Sequence, residues 1–146
     1  MIDQAEPLKG SEAGAQGGST PDAAPAQRKI LIVDDSETVL LVERSLLSRS
    51  YEVIVARNGQ EGVDKAIAER PDLILMDVVM PRMNGFDAIC RLRSHPTTQR
   101  IPVIMVTTRG ELGSVESGYQ SGCNDYVTKP FHGPELLAKV KSCLGG

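Results

Sequence analysis

From Lys29 onward the chain alternates unbroken apolar runs with stretches whose apolar residues recur at helical spacing. Ile30-Leu31-Ile32-Val33 is a continuous β-branched and leucine run, the pattern of a strand covered on both faces. Positions 36–48 follow, with Val39, Val42 and Leu46-Leu47 spaced as one side of a helix and Ser36 placed to cap it. A second strand is predicted over 51–56. Asn58-Gly59 then turns the chain into a helix through Val63, Ala66 and Ile67, which Pro71 ends. The third strand is 73–76, followed by a loop over 78–84 and a helix around 86–92. Pro102 opens a fourth strand through Val106, and a polar, glycine-interrupted helix is expected over 111–121. A short strand at 125–127 precedes a last helix, which Gly133-Pro134 opens and which turns Leu136, Leu137 and Val140 inward.

Five strands alternating with five helices predict an α/β domain with a doubly wound parallel sheet. Right-handed crossovers with helices on both faces favour the strand order 2-1-3-4-5, whose switch point lies between strands 1 and 3. Asp34-Asp35, Asp77, Thr107 and Lys129 each follow one of the apolar runs. In parallel strands all of them reach one rim of the sheet. Two like charges ~4 Å apart repel by roughly 4 kcal/mol at an effective dielectric near 20, so such a cluster calls for a cation. Three carboxylates against one ammonium read as a divalent-metal and phosphoryl site.

Composition narrows the choice. The 146 residues carry a formal net charge of -3 and no basic stripe, which argues against nucleic acid as a partner. No apolar run approaches the ~20 residues of a membrane span, and no signal-peptide pattern opens the chain, so a cytoplasmic protein is expected. Cys90, Cys123 and Cys143 form no C-x-x-C pair and read as reduced thiols filling small spaces. With only His95 and His132 to join them, both in polar stretches, zinc is a poor candidate. Residues 1–28, rich in Ala, Gly, Pro, Ser and Gln, read as a disordered leader, and 29–146 as the folded domain.

The segments Val33-Asp34-Asp35-Ser36, Leu75-Met76-Asp77 with Met80-Pro81 and Asn84-Gly85, Val106-Thr107, and Tyr126-Val127-Thr128-Lys129-Pro130-Phe131 occur in that order. Together they resemble the receiver domain of bacterial two-component response regulators, of the stand-alone, chemotaxis-regulator type. The resemblance implies a flavodoxin-like (βα)5 fold and phosphoryl transfer from a histidine kinase to Asp77. It implies Mg2+ held by Asp34, Asp35, Asp77 and the backbone carbonyl of Val79, with Thr107 and Lys129 touching the phosphoryl oxygens. It further implies a Thr107–Tyr126 switch, with Thr108 where the family often has a smaller residue beside that rotation, a cis bond before Pro130, and Val79 and Arg109 flanking the path of attacking water. Elementary chemistry agrees, since a carboxylate is a competent nucleophile and phosphoryl transfer is chiefly positioning and charge stabilisation.

The chain leaves no room for an output domain after Leu144, so a protein partner is expected on the face of the fourth helix, fifth strand and fifth helix. The protein is expected to be a monomer or weak dimer, and a phosphoacceptor rather than a turnover enzyme. Motility or chemotaxis signalling is the favoured setting. A relay step to a histidine phosphotransfer protein, or a phosphate-independent adaptor, is the alternative. A haloacid-dehalogenase-type phosphatase would need an aspartate where Val79 stands. A flavodoxin would need a hydroxyl-rich phosphate loop after strand 1 and more aromatics than 3%.

Overall fold

The computed structural model describes residues 27–80, 83–108, 122–130 and 132–145. Five parallel strands, β1 (Lys29–Val33), β2 (Glu52–Ala56), β3 (Leu73–Asp77), β4 (Val103–Thr108) and β5 (Asp125–Lys129), form one sheet in the order β2-β1-β3-β4-β5. The described helices are α1 (Glu37–Leu47), α2 (Gly59–Glu69), α3 (Gly85–Arg93) and α4 (Gly133–Cys143). The helix expected over 111–121, most of the leader, Pro81, Arg109 and Phe131 lie outside the described residues.

The sheet buries both faces. Leu31, Val33, Ile74, Met76, Val103 and Met105 pack with α2 and α3 on one side. Ile30, Ile32, Leu73, Leu75, Ile104, Val106 and Val127 pack with α1 and α4 on the other. This two-sided burial explains why the strands read as unbroken apolar runs.

Each helix begins where its sequence provides a cap. Ser36 Oγ accepts from Val39 N, Asn58 Oδ1 from Glu61 N, and Asn84 Oδ1 from Asp87 N. α4 instead carries Pro134 in its first turn. Gly85 must be glycine because a Cβ there would collide with the Asp77 backbone oxygen and approach Met105 Cε to 3.1 Å. That close approach sets α3 directly against the end of β3. At the open edge of β2, Lys65 Nζ donates to the Val55 carbonyl at 2.6 Å.

α1 departs from the expected phase. It buries Leu40, Glu43 and Leu47, while Val42 is 45% exposed and Leu41 66%. Two stripes one residue apart compete here. Leu47 belongs to both, and the inward one takes Leu40 and Glu43 where Val39 and Val42 were expected. Cys90 also departs from expectation: it is exposed on the solvent side of α3, whereas Cys123 is buried.

Candidate functional site

Strand alternation decides which side chains meet. Ile30 and Ile32 of β1, Leu73 and Leu75 of β3, and Val127 of β5 all face α1 and α4. Continuing each strand by its period of two sends Asp34, Asp77 and Lys129 to that same face at the carboxyl rim. Thr107 has the opposite parity, in step with Val103 and Met105.

The geometry follows that rule. Lys129 Nζ lies 2.9 Å from Asp34 Oδ2 and 3.2 Å from Asp77 Oδ1. Carboxylate oxygens of Asp34, Asp35 and Asp77 all fall within 4.8 Å of one another. Asp34 and Asp77 are buried and Asp35 is exposed. The other oxygen of Asp34, Oδ1, accepts from Ser36 N at 2.9 Å, which fixes its rotamer as the chain turns into α1. The Lys129–Pro130 peptide bond is cis.

The charges do not balance. Burial, then the neighbouring charge of Asp34 and more weakly that of Asp35, push the Asp77 carboxyl up to about 6 against the pull of Lys129. Burial opposes the charge on Lys129. The hydrogen bond that Lys129 donates to Asp34 and the charges of Asp77 and Asp34 overcome it, so the ammonium is held above its usual range. An added cation would relieve the remaining repulsion. Three clustered carboxylates, with neither histidine nor cysteine among them, are hard oxygen donors that suit Mg2+.

The remaining sequence-predicted residues surround this centre. Val79, 57% exposed, stands two residues beyond Asp77. Thr107 is buried at the end of β4, its Oγ1 donating to the Thr108 carbonyl at 3.3 Å. Tyr126 is half-buried on edge strand β5, with Lys139 Nζ of α4 lying 5.5 Å from its ring centroid. Lys139 is itself anchored 3.2 Å from Asp125 Oδ1. Sequence reasoning missed Glu43, buried on α1 beneath the rim. The signal was present in the 40/43/47 spacing, but a glutamate in a helix ordinarily reads as solvated.

A family model described as the response regulator receiver domain matches residues 30–141. The chain is 41% identical over 119 residues to protein PilH of Pseudomonas aeruginosa, covering 81% of this chain and 98% of that one. Some curated relatives are longer, and the chain spans 25% of one and 52% of another. Chemotaxis protein CheY4 of Vibrio cholerae superposes with a TM-score of 0.76 at 32% identity, covering 81% of this chain and 99% of that one. The receiver domain of sensor histidine kinase PA1611 from Pseudomonas aeruginosa, crystallised with a magnesium ion coordinated in its active site cleft, also gives 0.76. Its identity is 33%, over 83% of this chain and 100% of that one.

Proposed function

Since the chain belongs to the receiver domain family of two-component response regulators, we propose that a histidine kinase phosphorylates it on Asp77 and that a motility- or chemotaxis-type partner reads the result. One observation carries this reading: Asp77 is buried against Asp34 and Lys129 at a rim where carboxylates outnumber the ammonium. With its carboxyl at about 6, Asp77 is mostly ionised at neutral pH and able to attack. Its oxygen forms the bond to phosphorus as the P–N bond of phosphohistidine breaks, and the imidazole nitrogen leaves with the electron pair.

Mg2+, held by Asp34, Asp35, Asp77 and the Val79 carbonyl, would neutralise charge on the phosphoryl oxygens. Lys129 contacts the same oxygens from the β5 side, and Thr107 from β4. Asp77 is a stoichiometric acceptor, and its acyl phosphate is lost to water without turnover of a separate substrate.

Output runs through Thr107 and Tyr126 to the face that includes β5 and α4. Shifting a two-state equilibrium from 1:99 to 99:1 takes about 5.5 kcal/mol, whereas one hydrogen bond to a charged group contributes about 1.5–3. Thr107 therefore shares the work with Lys129 and the metal. Among the described residues no helix is long and apolar enough to cross a membrane. Leader 1–28 is assigned no part in the transfer.

Intact-mass measurement with acetyl phosphate and Mg2+ tests the chemistry. One added phosphoryl mass is expected on the wild type and none on Asp77→Asn. Equal gain on both would remove Asp77 from its role.

A further inference from the structure

The transfer described above leaves one buried group unused. Glu43 of α1 is 1% exposed, and its Oε2 has no hydrogen-bond partner among the described residues. Glu43 shares the inward stripe of Leu40 and Leu47, so it faces the sheet surface on which Asp34, Asp77 and Lys129 end. α1 starts at the carboxyl rim, and helical side chains tilt toward the helix N-terminus, so the Glu43 carboxyl leans back toward the rim. Lys129 lies along the same helix, lining a cleft with Thr38, Val39, Val42 and Pro130. Burial, the charge of Asp34 and, more weakly, that of Asp77 push the Glu43 carboxyl up to about 8, against the pull of Lys129.

Lys129 now holds Asp34 Oδ2 and Asp77 Oδ1, and so occupies two of the three carboxylates that a divalent cation would use. A cation entering there drives the ammonium away, and a half-buried ammonium without a partner is costly. We propose that Glu43 is a positioning residue that receives the Lys129 ammonium when a divalent cation enters the acidic cluster, so that metal binding and lysine relocation form one event. An oxygen lone pair is available on Glu43 whether or not its proton is present. The inference rests on the acidic cluster being a Mg2+ site, as proposed above.

Calorimetric titration of the full chain with Mg2+ alone, without any phosphodonor, tests it. Glu43→Leu fills the apolar stripe but removes the acceptor, and weakens Mg2+ binding about tenfold. Glu43→Gln keeps an acceptor oxygen and binds within about twofold of wild type. In a Lys129→Met background, Glu43→Leu changes nothing further, because no ammonium needs a second place. Wild-type affinity in Glu43→Leu overturns the inference. So does an equal loss in both Glu43 variants, or an unchanged loss in the Lys129→Met background, either of which would make Glu43 a direct charge on the metal. If the wild type itself fails to bind Mg2+, the reading of the cluster falls, and this inference with it.

Discussion

At the amino ends of β4 and β5, the Arg93 guanidinium donates to the carbonyls of Gly122 and Ile101 at 2.8 Å each, with longer bonds to Thr98, Gln99 and Asn124 Oδ1. Asn124 Oδ1 also accepts from Val103 N at 2.9 Å, closing the strand starts together. At the carboxyl ends, one Lys129 ammonium serves two of three clustered carboxyls, and a fourth acid, Glu43, lies buried with one oxygen that finds no partner among the described residues. One end is saturated with hydrogen bonds, and the other is held in a state that an added cation would improve. The difference teaches where stability and chemistry are stored. The sheet is tied at one end so that the other can carry unrelieved charge.

Breaking the saturated end should have the largest effect. Arg93→Ala strands several carbonyls and is expected to lower unfolding free energy by about 3 kcal/mol in a denaturant titration. Removing charge at the other end should act in the opposite direction. Glu43→Leu replaces a buried carboxyl, whose Oε2 has no hydrogen-bond partner among the described residues, with an aliphatic group and is expected to raise stability by about 2 kcal/mol. Asp77→Asn, in metal-free buffer at pH 7, should raise it by about 1 kcal/mol, and added Mg2+ should narrow the gap to wild type.

The pH dependence sharpens the contrast. Both raised carboxyls bind protons more tightly folded than unfolded, so native protein holds more protons between about 4.5 and 8 for Glu43 and between 3.8 and about 6 for Asp77. Their contribution to stability is therefore fully present below the unfolded values and lost as pH rises through the folded ones. Melting temperature without metal should fall from pH 5 to pH 8, with a shallower fall in Glu43→Leu. The smallest effect belongs to the surface pair Lys29–Glu69, 3.0 Å apart: Glu69→Gln should leave the denaturation midpoint unchanged within error.

Much of this was legible from residue order. The strands announced themselves because two-sided burial demands unbroken apolar runs, and the strand order followed from the alternation of strands with helices. Asp34, Asp77 and Lys129 could be placed at one rim because parallel strands share a direction. The phase of α1 was not legible. Val39 and Val42 compete with Leu40 and Glu43 for the inward side, and only packing against a particular sheet decides between stripes one residue apart. Glu43 was lost with that phase. Arg93 was hidden for a different reason: its partners are backbone carbonyls far along the chain, which no side-chain motif marks.

The ammonium of Lys65 has a consequence for assembly. Ala56 O is turned toward β1, where it accepts from Asp34 N, so the carbonyl of Val55, one residue earlier, points off the sheet. Lys65 occupies that acceptor. A strand arriving from another molecule would have to displace a charged donor before forming its first rung, which guards this border against sheet growth. Copies of the protein that pair would therefore leave the β2 border unextended.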